Sequence, residues 1–421
     1  MKKSILSSVS AAALMFSAAA VAQNNNSEVT QNGTNATATV SQGGANSESD
    51  VLQEGNLNKA TVNQDGTIDG GRSTITQTGD ENTASVTQAD DGDNLSSPPI
   101  PRSIVTQSGS NNAATVNQNS GTISLVSNSN VDQSGSLNQA TVTQVDDGQN
   151  SNVLQSSDSN IAFVSQGDPA LVAGDDSYGN NSTVNQAGSL GGNFADVDQN
   201  GLGGFSNVQQ LGGDNDAFVT QGGASNSSTV QQDGNSNFAD VDQTGDNNSF
   251  IDQDGNNNRA TVTQDGANNS DVFQGGSNNA ATVSQEGSST SLVDQSGSRN
   301  RAFATQDGAT NDSFIQQISD GAVARVTQTG NGNDSDVTQS SAEAPAFTEW
   351  QGDGAAIRSA RAEISQIGNS NESTVIQSGV GNYVLLAQGK TGDAGNSNKS
   401  TILQSGNSTF ADVEQTGDSN R

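Results

Sequence analysis

The feature that most constrains this chain is a glutamine that returns every ten or eleven residues behind a fixed column of small side chains. In one frame the column is Asn58, Ala60, Val62 and Gln64; in the frame before it, Ser47, Ser49, Val51 and Gln53. Its members lie two places apart, and that period describes a strand with one buried face. The other face is polar and variable, as in Lys59, Thr61 and Asn63, or Arg259, Thr261 and Thr263. Glycine follows two places after most of the glutamines, as at Gly55, Gly66, Gly79, Gly109 and Gly245. There it supplies backbone angles that other residues resist, so the chain turns and starts the next strand.

The central small residue alternates: Ser27, Ala38, Ser49, Ala60, Ser73, Ala84, and so on without a break to Ser335. The true period is therefore two strands, roughly 22 residues, and one coil reads strand, turn, strand, turn. This predicts an all-β fold, a β-solenoid of about 16 two-stranded coils with two facing parallel in-register sheets. All Ser strands fall in one sheet and all Ala strands in the other. At roughly 4.8 Å per coil such a stack is about 80 Å long. Val and Ile fill its middle, and small Ala and Ser let the sheets approach to roughly 10 Å or closer. Gln and Asn at the ends of each buried column are expected to stack as hydrogen-bonded amide ladders, as in cross-β zippers. Each interior amide would then be satisfied by the coils on either side. Where the spacing falls from eleven to ten, as from Gln243 to Gln253 and Gln264 to Gln274, only the turn is expected to shorten.

Composition narrows the function. Among 421 residues there is no Cys and no His, and the formal net charge is −32. No imidazole base, thiol nucleophile, ordinary zinc site or disulfide is available. With 29% hydrophobic and 4% aromatic residues the chain would read as disordered on composition alone. The fixed period overrides that reading. Phosphates would be repelled, so nucleic acid is not an expected partner. Many Asp are present, but no carboxylate group stands apart from the repeat to suggest a glycan-cleaving enzyme. The chain reads as a non-enzyme with no cofactor.

Lys2 and Lys3 precede an apolar run through Leu14, Met15 and Phe16, which ends at Ala20-Val21-Ala22. This small-x-small ending predicts a secretory signal over residues 1–22, cut after Ala22. The run is shorter than the roughly 20 apolar residues of a membrane span, and no later segment could form one. Residues 23–26 then form a short N-terminal segment, 27–417 the solenoid and 418–421 a C-terminal tail. Four stretches break the spacing, near 89–102, 167–179, 340–358 and 389–398. Each lies between one Gln and the next buried column and is expected to bulge from a turn as a loop. Asp90, Asp91 and Asp93 in the first read as solvated acids rather than a calcium site. Trp350 lies in the third, and Val384 departs from Ala in its sheet.

The outward positions hold most of the aromatics: Phe163, Phe194, Phe218, Phe238, Phe250, Phe303, Phe314 and Phe410. Recurring exposed apolar groups suggest lateral bundling or adhesion. Outward carboxylates at Asp196, Asp198, Asp240, Asp242, Asp252 and Asp294 repel one another and are expected to slow association.

The combined unit S-x-V-x-Q-x-G-x-x-N-x-A-x-V-x-Q is similar to the curlin repeat of bacterial curli fibres. Ser49, Gln53, Gly55, Asn58, Ala60 and Gln64 match it in order, and the match runs from about Ser27 to Gly417. The resemblance implies an extracellular functional amyloid on the surface of a Gram-negative bacterium. Such subunits pass an outer-membrane channel unfolded and polymerise on a nucleator into biofilm matrix. It also implies that fibre growth depends on the amides of the terminal repeats. Here these are Asn25, Gln31 and Gln42 at one end, and Asn398, Gln404 and Gln415 at the other. The family's longer Gly-rich leader is replaced by Gln23 to Asn26. Neither end shows a capping helix, and open sheet ends recruit further strands, so self-association into a homopolymer is expected. The other reading is a monomeric cell-surface or ice-binding solenoid adhesin, prompted by outward Thr141 and Thr143, and Thr261 and Thr263, which form no continuous ladder.

Overall fold

The computed structural model describes residues 24–43, 45–66, 71–90, 101–120, 127–145, 148–167, 179–340, 360–389 and 396–420. The signal segment with Ala20 and Ala22, most of each interrupting stretch, Asp91, Asp93 and Trp350 lie outside the described residues. Thirty strands run from β1 (Asn26–Asn32) to β30 (Phe410–Gln415), with no helix among the described residues. Among the described residues no helix is long and apolar enough to cross a membrane.

The chain divides into two compact units, Met1–Gly213 and Asp214–Arg421. In the first, Ser-bearing strands pair in parallel only with Ser-bearing strands, from Ser27 beside Ser49 to Ser182 beside Ser206. Ala-bearing strands form their own stack, from Ala38 beside Ala60 to Ala162 beside Ala195. The second unit repeats the plan, from Ser228 beside Ser249 to Ser373 beside Ser400. Its Ala stack runs from Ala217 beside Ala239 to Val384 beside Ala411. Two long strands, Ala280–Gln295 and Arg301–Gln317, run through a corner and serve both stacks. The fold is thus the expected β-solenoid. Register is held because a one-residue slip would throw every buried Val, Ala and Gln outward. Val51, Val62, Val230 and Val262 are all fully buried, each contributing about 1.5–3 kcal/mol over an exposed side chain.

The corners absorb every irregularity. A Cβ on Gly55 would lie 2.1 Å from the Gly79 carbonyl oxygen, and Gly55 holds φ at +102°. Stacked corners thus approach too closely for a side chain there. Corners of eleven-residue spacing carry one further residue in the left-handed region, such as Leu57 (φ 59°), Asn111 (φ 59°) and Asn257 (φ 57°). The ten-residue corners after Gln243 and Gln264 have no such non-glycine residue. Where a ten-residue corner meets an eleven-residue one, register slips between Ser288 and Thr290, and Ser291 then pairs with Ser313. Columns flanking the interrupting stretches also stay aligned: Ser73 with Ser103, Ser151 with Ser182, Ala324 with Ala362, and Ser373 with Ser400. Residues 418–420 continue the pattern: Asn420 takes the inner asparagine place, its N–H 3.0 Å from Asn398 Oδ1.

Candidate functional site

The glutamines form two ladders in each unit. In the first, Gln31 Nε2 donates to Gln53 Oε1 at 2.7 Å and Gln53 to Gln77 at 2.8 Å. In the facing stack Gln42 donates to Gln64 at 3.0 Å and Gln64 to Gln88 at 2.9 Å. In the second unit Gln377 donates to Gln404 at 2.9 Å and Gln388 to Gln415 at 2.8 Å. Each of these bonds runs from the earlier rung to the later one. Nε2 also reaches the facing sheet: Gln53 donates to the Thr37 carbonyl at 3.1 Å and Gln64 to that of Glu48 at 3.0 Å. The ladders therefore stitch the two sheets together as well as the rungs. A buried amide so satisfied escapes the desolvation penalty of an unpaired one.

Asparagine behaves differently from the simple ladder expected. Asn58 Oδ1 accepts the Asn82 backbone N–H at 3.0 Å. Its Nδ2 donates to the corner carbonyls of Glu54 at 2.9 Å and Gly79 at 2.8 Å. Asn58 therefore pins the corner rather than extending a side-chain chain. Side-chain pairs do join in later rungs, where Asn371 Nδ2 lies 3.0 Å from Asn333 Oδ1 and Asn398 Nδ2 3.1 Å from Asn371 Oδ1.

A further ladder on the corners was not read from the sequence. The residue after the corner glycine presents an amide or carboxylate oxygen to the N–H of the corner before it. Asp80 accepts from Asn56 at 2.8 Å, Asn331 from Ala309 at 2.8 Å, Asn369 from Asn331 at 2.9 Å, and Asp418 from Asn396 at 2.9 Å. Its signal was the recurrence of Asn and Asp one place after the glycine.

The serine column forms no such ladder. The buried hydroxyls of Ser49, Ser73, Ser103, Ser228, Ser249 and Ser270 have no hydrogen-bond partner. A hydroxyl on so short a side chain falls short of its counterpart one rung, roughly 4.8 Å, away. Ser335 and Ser373, 3.1 Å apart, are an exception.

The outward aromatics partly cover one another. Ring centroids lie 5.8 Å apart for Phe163 and Phe194, 5.6 Å for Phe218 and Phe238, and 5.5 Å for Phe250 and Phe273. Phe410 packs 5.4 Å from Tyr383. Arg259 lies over Phe238 and Arg325 over Phe303, and Phe314 is half-buried beside Leu292 and Asp336. Among the outward acids, burial raises Asp196 and Asp240, with Asp198 and Asp242 adding repulsion and Arg259 opposing the shift at Asp240. Asp334 is pushed up to about 6, first by burial, then by Asp336, Asp312 and Glu372, against Lys399. No group of three or more acids able to hold a metal ion occurs among the described residues.

These features define a class: a parallel β-solenoid structural protein whose core is zipped by directional amide ladders. The curlin associated repeat matches at residues 33–66, 212–245, 223–251 and 234–266, so the chain carries curlin repeats in these segments. No curated protein matches the chain.

Proposed function

We propose that this is a secreted structural protein that adds copies of itself, rung on rung, to build extracellular amyloid-type fibres of a bacterial biofilm matrix. The observation that carries the reading is the state of the outermost described rung. β30 pairs with β28 (Tyr383–Gln388) and with no other strand among the described residues. Its Val413 and Gln415 are half-exposed, whereas Leu386 and Gln388 at the same positions of β28 are buried. A further rung in the same register would cover Val413 and accept the Gln415 amide as Gln415 accepts that of Gln388. The curlin repeats support the same reading, since the family is one of curli-like structural proteins.

Secretion is part of the proposal and rests on the signal segment ending at Ala22. A nucleator and an outer-membrane channel are the partners such assembly calls for, and a Gram-negative cell surface is its setting. Purified mature chain is expected to form thioflavin-binding fibres diffracting near ~4.7 Å along the axis. Persistent monomers across salt and pH would refute the reading. The exported protein is expected to begin at Gln23 on N-terminal sequencing.

A further inference from the structure

In the second unit the two sheets carry local patches of opposite charge on their outer faces. On the Ala-stack face, Arg259 and Arg301 share the column just before the buried alanine, two rungs apart, and Arg325 stands one column further along its strand. In a chain with 46 Asp and Glu against 14 Lys and Arg, this is a local inversion of charge. None of the three makes an ion pair among the described residues. Arg259 lies 4.1 Å from the Phe238 ring centroid and Arg325 4.9 Å from that of Phe303, cation–π contacts that seat each guanidinium over a ring. Between Arg259 and Arg361 the columns ahead of the glutamines hold one carboxylate, Glu363, and Arg361 neutralises it. Acids flank this patch: Asp240 and Asp242 stand one rung before Arg259, which opposes the raised pKa of Asp240, and Asp265, Glu286 and Asp307 lie past the glutamines.

The Ser-stack face shows the reverse. Asp312, Asp334 and Glu372 are direct partners in successive rungs, with Asp336 one column away. Only Lys399, paired with Glu372, relieves the column. Burial and this crowding hold Asp334 well above the ordinary carboxylate range, so the column is short of counter-charge.

We propose that the arginine–aromatic face of one molecule docks on the Asp312–Asp334–Glu372 column of a second copy, a side-by-side contact distinct from rung addition. Charge complementarity selects the second copy. Both faces are built on the same rung spacing of roughly 4.8 Å, so Arg259 and Arg301, two rungs apart, match the separation of Asp312 and Glu372, also two rungs apart. Opposite faces meet, so like charges are kept apart, and a mismatched pairing costs several kcal/mol.

The test reads self-association of soluble mature chain by sedimentation, with thioflavin-followed elongation measured in parallel so that loss of side contact and loss of rung addition are told apart. Parent protein is expected to associate, with affinity falling about tenfold or more between low and high salt. The triple variant Arg259→Glu, Arg301→Glu, Arg325→Glu makes both faces acidic; Asp312→Lys, Asp334→Lys, Glu372→Lys makes both basic. Each alone is expected to lose association about tenfold or more, and an equimolar mixture to regain it. If a reversal variant loses its β-sheet circular dichroism, the neutral sets Arg259→Gln, Arg301→Gln, Arg325→Gln and Asp312→Asn, Asp334→Asn, Glu372→Gln take its place, each expected to weaken association. A parent that never associates, a variant that associates as the parent does, or a mixture no better than its components would overturn the proposal.

Discussion

Replacing one ladder glutamine breaks three hydrogen bonds at once. Gln264 accepts from Gln243 at 2.9 Å and donates to Gln285 at 2.9 Å and to the Asn248 carbonyl at 3.1 Å. Gln264→Ala strands a donor and an acceptor in the core and is expected to cost about 2–5 kcal/mol, read as a lower urea midpoint of the soluble chain. The serine column predicts the opposite sign. Ser249 buries a hydroxyl with no partner, so Ser249→Ala is expected to raise stability by about 1 kcal/mol in the same measurement. The buried places of both residues were legible, because period two sorts in from out whatever the side chain. The bonding of Asn58 and the want of a partner at Ser249 were not. They depend on which carbonyls a corner turns inward and how far a rung stands from the next, and a period carries neither.

At the level of strands and corners, the glutamine spacing set the buried columns that pair on either side of each interruption. It did not reveal the left-handed residues. Leu57, Glu81, Asn111 and Ser236 all take that conformation, so no residue type marks it; the stacked corner imposes it. The corner glycines were legible because a side chain at most of them would meet the next corner's backbone, although Ser157 and Ser319 take that place after Gln155 and Gln317. Gly255→Ala would place a Cβ 1.9 Å from the Gly276 carbonyl oxygen at φ +132°, and is expected to destabilise the second unit by about 3 kcal/mol or more. Deleting Thr310 should do much less. It converts an eleven-residue corner into a ten-residue one, and merely moves the existing slip by one rung. The urea midpoint is expected to shift by under about 1 kcal/mol, with Ser313 still beside Ser335.

For the whole molecule the acids set the response to pH. Asp334 binds its proton more tightly in the folded state, with a pKa raised to about 6 by burial and by Asp336, Asp312 and Glu372. Folding therefore takes up a proton between the ordinary carboxylate range and about pH 6, and stability falls as pH rises through that window. The penalty is fully present above it. Acidifying from about pH 7 to 5 is expected to raise the urea midpoint and shorten the assembly lag, with Asp334→Asn weakening both responses. Equal midpoints at the two pH values would contradict this. The net charge of −32 and the outward acids were plain in the sequence. Which of them crowd was not, because that depends on the coil count between Asp312 and Glu372. One feature of the core reaches further. Ladder glutamines such as Gln53 and Gln64 donate toward later rungs, while asparagine oxygens such as Asn58 Oδ1 receive N–H groups from them. The two tips of such a stack are thus unlike in chemistry, as a plug differs from its socket. Two copies meeting tip to like tip would set donor against donor. A fibre grown by rung addition would consequently be a vector, its leading and trailing tips expected to accept newcomers at different speeds.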